Sequence, residues 1–299
     1  MLDGFEAATV QTGETEIFVR RGGSGPPILL LHGFPQTHLM WRDVAPLLAR
    51  RGFAVVCADL RGYGRSGCPA SAPDHAPYAK RALARDMAAA MERLGFPRFA
   101  VGGHDRGGRV AHRLALDHPD RVERLAVLDV IPTAEAWGRA DARFALAYWP
   151  WSLLAQPAPL PERLLAAAPE AVVNAALGGW GSAPAAFGPE IRAAYVEALS
   201  DPAHAHAICE EYRAAATLDR GHEEADRRSG RRVACPVLAL WSGPGPLGSW
   251  YAEAGGPLAL WRAWADDVRG HAFDAGHFFP EELPEETAAA LGRFFAAAS

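Results

Sequence analysis

Short runs of apolar residues recur along this chain between longer stretches of helical periodicity, and that alternation limits the fold more than any other feature. The runs read EIFVR (16–20), PILLLHG (27–33), AVVCADLRG (54–62), FAVGGHD (99–105), RLAVLDV (124–130), PVLALWSG (236–243) and VRGHAFDAGH (268–277). Between them lie segments such as YAKRALARDMAAAMERLG (78–95), whose apolar residues return at helical spacing and whose Gly95 suits a helix stop. Near-continuous apolar strands alternating with helices predict a mostly parallel, doubly wound α/β sheet covered on both faces.

The alternation stops after RLAVLDVIP. From Pro132 to about Arg231 the text is helical, rich in tryptophan and proline, and the strand pattern resumes at Val233. This predicts a core of residues 1–131 and 232–299 interrupted by a helical cap, 132–231, lying over the strand ends. The sequence shows no internal repeat.

Composition narrows the partners. A net charge of −5 gives no electrostatic case for nucleic acid or for an anionic membrane surface. The four cysteines, Cys57, Cys68, Cys209 and Cys235, are widely spaced and form no C-x-x-C pair, so neither a zinc site nor a disulfide framework is expected. The N-terminal text carries no apolar signal-peptide core, and no run approaches membrane-spanning length. A cytoplasmic location is the expectation. Lys80 is the only lysine among 30 basic residues, a bias that makes any single arginine weak evidence.

In an open parallel sheet, chemistry gathers at the carboxyl ends of the strands. Gly103-His104-Asp105-Arg106-Gly107 sits at such an end and fits the G-x-Nuc-x-G elbow, with Asp105 as nucleophile. A plain strand-to-helix turn capped by aspartate fits the same five residues. The companions favour the elbow. His277, in DAGHFFP after the last run, is placed to act as base. Asp129 ends the run before the helical stretch, and WSGPGPLGSW, the other usual place for the acid, holds no carboxylate. The order Asp105, Asp129, His277 is then nucleophile, acid, histidine. The backbone N–H groups of Phe34, in HGFP, and of Arg106 are candidates for an oxyanion hole.

LLLHGFPQTHLMWR, ADLRGYGRS, GGHDRGGRVAHRLALDHPDRV, WSLLAQPAPLPE and DAGHFFPEELPEE resemble the α/β-hydrolase superfamily, and within it the haloacetate and fluoroacetate dehalogenases, over nearly the whole chain. The resemblance implies hydrolysis of a carbon–halogen bond in a 2-haloacid through an aspartyl ester, with no metal or organic cofactor. It also implies a homodimer. Arg106 and Arg109, three apart at a helix start, share a face and suit a substrate carboxylate. Trp151 and Tyr212 match the family's halide-binding tryptophan and tyrosine. Pro150 stands where the family has a halide-binding histidine and Ala136 where relatives carry a tyrosine; SGPGPLGSWYAEAGG departs from the pattern with no assigned role. An epoxide hydrolase would use the same aspartate, histidine and acid with two tyrosines, for which Tyr148, Tyr195 and Tyr212 are available. A ligand-binding receptor on the same scaffold is the non-enzymatic alternative.

Overall fold

The computed structural model describes residues 2–297. Its strands are β1 (Glu6–Gln11), β2 (Glu16–Gly23), β3 (Pro27–Leu31), β4 (Ala54–Ala58), β5 (Phe99–His104), β6 (Val122–Leu128), β7 (Val237–Ser242) and β8 (Val268–Phe273). They form one sheet in the order β1-β2-β4-β3-β5-β6-β7-β8. β1 and β2 pair antiparallel, as do β2 and β4, and every other neighbouring pair is parallel. This is the mostly parallel α/β sheet that the apolar runs predict, and its order fits the α/β-hydrolase fold that the resemblance implies.

β1 is the strand that those runs do not reveal. It pairs with β2 along its whole length, yet Val10 is its only buried residue. An edge strand with so little buried surface has little apolar pattern to show. The interior strands behave oppositely and split their side chains between two cores. Leu29 and Leu31 join Val56, Val101 and Leu125 on one face, with Met87 and Leu114 from helices Lys80–Arg93 and Arg106–Asp117. Ile28 and Leu30 join Val55, Cys57 and Leu128 on the other, with Leu48 and Leu291 from helices Val44–Arg50 and Pro284–Ala296. The period-2 alternation of a strand makes both faces apolar, so both must be covered.

Between β6 and β7 the described residues form helices and no strand, from Thr133–Gly138 to Arg220–Arg228. No helix among the described residues is long and apolar enough to cross a membrane. The register His104↔Leu128 brings the ends of β5 and β6 level, and Leu128↔Leu240 sets them two residues short of the end of β7. The sheet bonding continues one step past each end: Asp105 donates its N–H to the Leu128 carbonyl (3.1 Å) and Asp129 to that of Leu240 (2.8 Å).

Candidate active site

Asp105 is the single residue between β5 and helix Arg106–Asp117, and its backbone is forced to φ 46° and ψ −115°. Such a conformation costs a non-glycine residue about 1–3 kcal/mol and persists only where its surroundings hold it. Here the chain passes too close for side chains on either side. A Cβ at Gly107 would collide with the Leu31 and His32 carbonyls, and one at Gly33 would lie 2.5 Å from the Asp105 Cβ. Burial opposes ionisation of Asp105, but the charges of His277 and Arg106 outweigh it and hold the carboxyl below its ordinary value.

The Phe34 N–H donates to Asp105 Oδ1 at 3.1 Å. His32 braces that loop. Its Nε2 accepts the Leu60 N–H (3.0 Å), so Nδ1 carries the proton and donates to the Gly33 carbonyl (2.9 Å). One Asp105 oxygen is therefore engaged by a backbone donor from the HGFP segment.

His277 lies in the loop after β8. Its Nδ1 donates to Asp129 Oδ2 at 2.5 Å, and Asp129 Oδ1 accepts the Ser242 N–H at the end of β7 (2.8 Å). Asp129, like Asp105, is left-handed, at φ 50°. The arrangement fixes the imidazole tautomer and leaves Nε2 buried without a partner. Burial pulls the His277 pKa down, but the bond to Asp129 and its charge, then the charge of Asp105, raise it above the ordinary value. The ring packs at 4.5 Å from that of His104, which burial and the His277 charge depress to about 3. His104 is thus neutral, and its Nε2–H donates to the His277 carbonyl at 2.8 Å. Trp180, from the helical segment, accepts the His277 N–H on its carbonyl (3.0 Å).

Arg106 and Arg109 occupy the first turn of the helix after Asp105, both buried. Each guanidinium already has partners, so neither presents its whole fork to a carboxylate. Arg106 Nε donates to Glu211 Oε1 (3.0 Å) and Oε2 (2.8 Å), and Nη2 to Oε1 (2.6 Å), which leaves Nη1 buried and unpartnered. Arg109 Nη1 donates to the Ile131 carbonyl (2.7 Å), which leaves Nε buried and unpartnered. Burial and the neighbouring Arg106 charge pull Arg109 down to about 10, so it stays cationic at neutral pH. The Tyr212 ring lies 4.0 Å from the Arg106 guanidinium carbon, and the Trp151 ring 5.2 Å from it and 4.4 Å from that of Arg109. Trp151 and Tyr212 thus both stand beside Arg106.

Asp105, Arg109, Asp129 and His277 open onto a small enclosed cavity of about 20 Å³. The helical segment contributes Ala136, Phe144, Tyr148 and Trp151 to its wall. Ile131, Leu247 and Tyr251 complete it, the last two from the SGPGPLGSWYAEAGG stretch to which the sequence assigned no role. Tyr195 stands elsewhere, donating its hydroxyl to Glu281 at 3.1 Å, and Pro150 lies buried in the first turn of helix Trp149–Leu154, outside the lining. A roomier surface cleft of about 370 Å³, lined by His38, Asp59 and Arg65, touches none of Asp105, Asp129 and His277. The small cavity is the candidate site, because there an ionised carboxylate, an unpartnered imidazole nitrogen and the unpaired Nε of Arg109 converge, while Arg106 and Tyr212 lie outside its lining.

Comparison with known proteins agrees with this fold. The family model described as "alpha/beta hydrolase fold" matches residues 26–282. A fluoroacetate dehalogenase from Burkholderia sp is 45% identical over 98% of this chain and 95% of its own. A soluble epoxide hydrolase from Corynebacterium sp. (strain C12) is 33% identical over 92% of this chain and 91% of its own. Among solved structures, a Nostoc sp PCC 7120 protein provisionally described as an α/β hydrolase superposes with a TM-score of 0.95 at 49% identity, covering all of both chains. A Pseudomonas aeruginosa protein provisionally described as an epoxide hydrolase superposes at 0.91 with 45% identity, over 99% of this chain and 97% of its own.

Proposed function

This chain belongs to the α/β-hydrolase fold family, and from that premise we propose that it is a hydrolase of carbon–halogen bonds whose substrate is a small 2-haloacid such as a haloacetate. The observation that carries this reading is the pair of unpartnered guanidinium donors, Arg106 Nη1 and Arg109 Nε, buried beside an ionised aspartate. Buried guanidinium donors without an acceptor are costly, and a substrate carboxylate supplies one. The near-full-length likeness to a fluoroacetate dehalogenase supports the same substrate class. Helical residues 132–231 act, in this reading, as the cap that closes the cavity.

The reaction follows from which oxygen is held. Phe34 engages Asp105 Oδ1, so Oδ2 attacks the halogen-bearing carbon; the new C–O bond forms as the carbon–halogen bond breaks and halide leaves. Trp151 and Tyr212 are the donors we assign to the departing halide. His277 Nε2 then takes a proton from water, and the hydroxide adds to Asp105 Cγ. Negative charge develops on Oδ1, where the Phe34 N–H already points. Collapse breaks the bond between Cγ and the ester oxygen, returns a proton from His277 to the departing alkoxide, and gives the 2-hydroxy acid. One proton is released per turnover, with the halide. Asp129 holds the tautomer throughout and stabilises the imidazolium.

The test is halide and hydroxy-acid release from fluoroacetate, chloroacetate and bromoacetate. Catalytic turnover of at least one of them is expected, with fluoride release most sensitive to how the halide is held, since Pro150 offers no side-chain donor. No halide from any of the three would sink this reading. The rival with a specific observation behind it is epoxide hydrolysis, because Tyr148 and Tyr251 both line the cavity and burial holds both phenols protonated. Turnover of a neutral epoxide faster than any haloacid would establish that rival instead.

The pH dependence divides the two steps. Alkylation needs only ionised Asp105, whose carboxyl is held below its ordinary value, whereas ester hydrolysis needs neutral His277. Because the His277 pKa is raised, the imidazolium persists to higher pH and the base is lost from above downward. We expect kcat to fall roughly tenfold per pH unit below the His277 titration in the ester, while kcat/KM stays level there. A shared acid limb in both profiles would put His277 in the alkylation step.

A further inference from the structure

The chain's only lysine is not on the surface. Lys80 is 2% exposed, and its Nζ contacts the Glu211 carboxylate and, at 3.4 Å, Asp219 Oδ2. Its backbone N–H donates to Asp219 Oδ1 at 2.8 Å, so Asp219 holds this residue twice. Glu211 is fully buried and also takes the three bonds to Arg106 described above, two of them on Oε1, the oxygen that Lys80 contacts. Asp219, Lys80, Glu211 and Arg106 therefore make one unbroken line of alternating charge. It runs from the helical segment, through helix Lys80–Arg93, to the residue next to the nucleophile.

Such a line has a use at its last member. Arg106 adjoins the ionised Asp105, and a guanidinium beside a carboxylate tends to take it bidentately, which would occupy the attacking oxygen. The Glu211 carboxylate occupies the Nε and Nη2 edge instead, and only Nη1 remains. We infer that Glu211 is a positioning residue for a carboxylate-binding site: it keeps Arg106 off the nucleophile and aims Nη1 at the substrate, with Lys80 and Asp219 fixing Glu211 in turn. This rests on the carboxylate substrate argued above, and it deepens that reading by setting the charge class. Glu211 cancels Arg106 and Asp219 cancels Lys80, so Arg109 faces Asp105 with no surplus cation for a second carboxylate. The site is built for small monocarboxylates. Burial and the charges of Arg106 and Arg109 lower the Lys80 pKa, against the opposing pull of Asp219, so its ammonium is sensitive to whatever anion joins them.

Positioning and mere charge predict opposite signs. Glu211→Gln removes a negative charge from the site, so a purely electrostatic role makes it bind anions more tightly. A positioning role makes it bind them more weakly. The probe is glycolate, measured by calorimetry, which needs no turnover. We expect the Kd for glycolate to rise at least tenfold in Glu211→Gln, and KM for a turned-over haloacid to rise more than kcat falls. An unchanged or tighter glycolate Kd overturns the inference. A second measurement needs no variant, should that one fail to fold. Protein labelled with isotopic lysine carries one lysine side-chain signal, that of Lys80, and its ¹³Cε resonance should shift saturably as glycolate is added. No shift, or no binding by the wild-type protein, also overturns it. Glycolate binding with these signatures but without halide release from any haloacetate overturns the reaction reading and leaves this one standing.

Discussion

Replacing His277 with glutamine leaves a protein that releases about one equivalent of halide and then stops. The first step asks nothing of the imidazole, since Asp105 Oδ2 is the attacking atom. Loss of His277 removes the strongest charge holding Asp105 ionised, yet Arg106 and Arg109 still act in the same direction. The second step loses its base, and that contribution is worth roughly 10²–10⁴-fold. The alkylated protein therefore accumulates, heavier by one carboxymethyl group on Asp105 when the substrate is a haloacetate. Rapid-quench halide measurement and intact-protein mass spectrometry together check it. A variant that gives neither burst nor adduct would show that the imidazole acts before the ester forms.

Asp105→Asn should remove both the burst and the adduct, with turnover reduced on the order of 10⁶-fold, the scale seen when a covalent nucleophile is deleted. That corresponds to about 8 kcal/mol of transition-state stabilisation. The amide keeps a carbonyl oxygen to accept the Phe34 N–H and keeps the size of the side chain, so the elbow has no steric reason to rearrange. The comparison is sharp for that reason. Steady-state halide release at high enzyme concentration measures it, beside a thermal melt to establish that the variant is folded. Residual turnover above about one part in a thousand would mean that water displaces the halide directly and that Asp105 is not the nucleophile.

The elbow, the acid and the histidine were legible because each sits at a strand end, and strand ends are readable from apolar runs. Asp105 and Asp129 follow β5 and β6 in adjacent register, and His277 follows β8, so local sequence and strand order together place all three. β1 was hidden by its exposure. Glu211 was hidden for a different reason: its charge is ordinary in CEEYRAAA, and its meaning lies in Arg106, remote in sequence. Lys80 left a trace, a lone lysine in an arginine-rich chain, but the trace named no partner. Leu247 and Tyr251 could not be found from a motif, because a wall of a cavity is defined by what faces it. The partners that engage Arg106 and Arg109, such as Glu211 and the Ile131 carbonyl, were hidden on the same ground, since they become visible only in space.

The fixed register of β5, β6 and β7 bears on how such a chain tolerates change. The separation between Asp105 and Asp129 is measured in hydrogen-bonded rungs, and the same ladder delivers the Ser242 N–H to Asp129. Insertions or losses in the loop after helix Arg106–Asp117, or among the helices after Asp129, leave that ruler untouched. The walls of the cavity can therefore drift in length and shape, changing what is admitted, while the distance between the reacting carboxylate and the acid that steadies the base is conserved by the pleat alone.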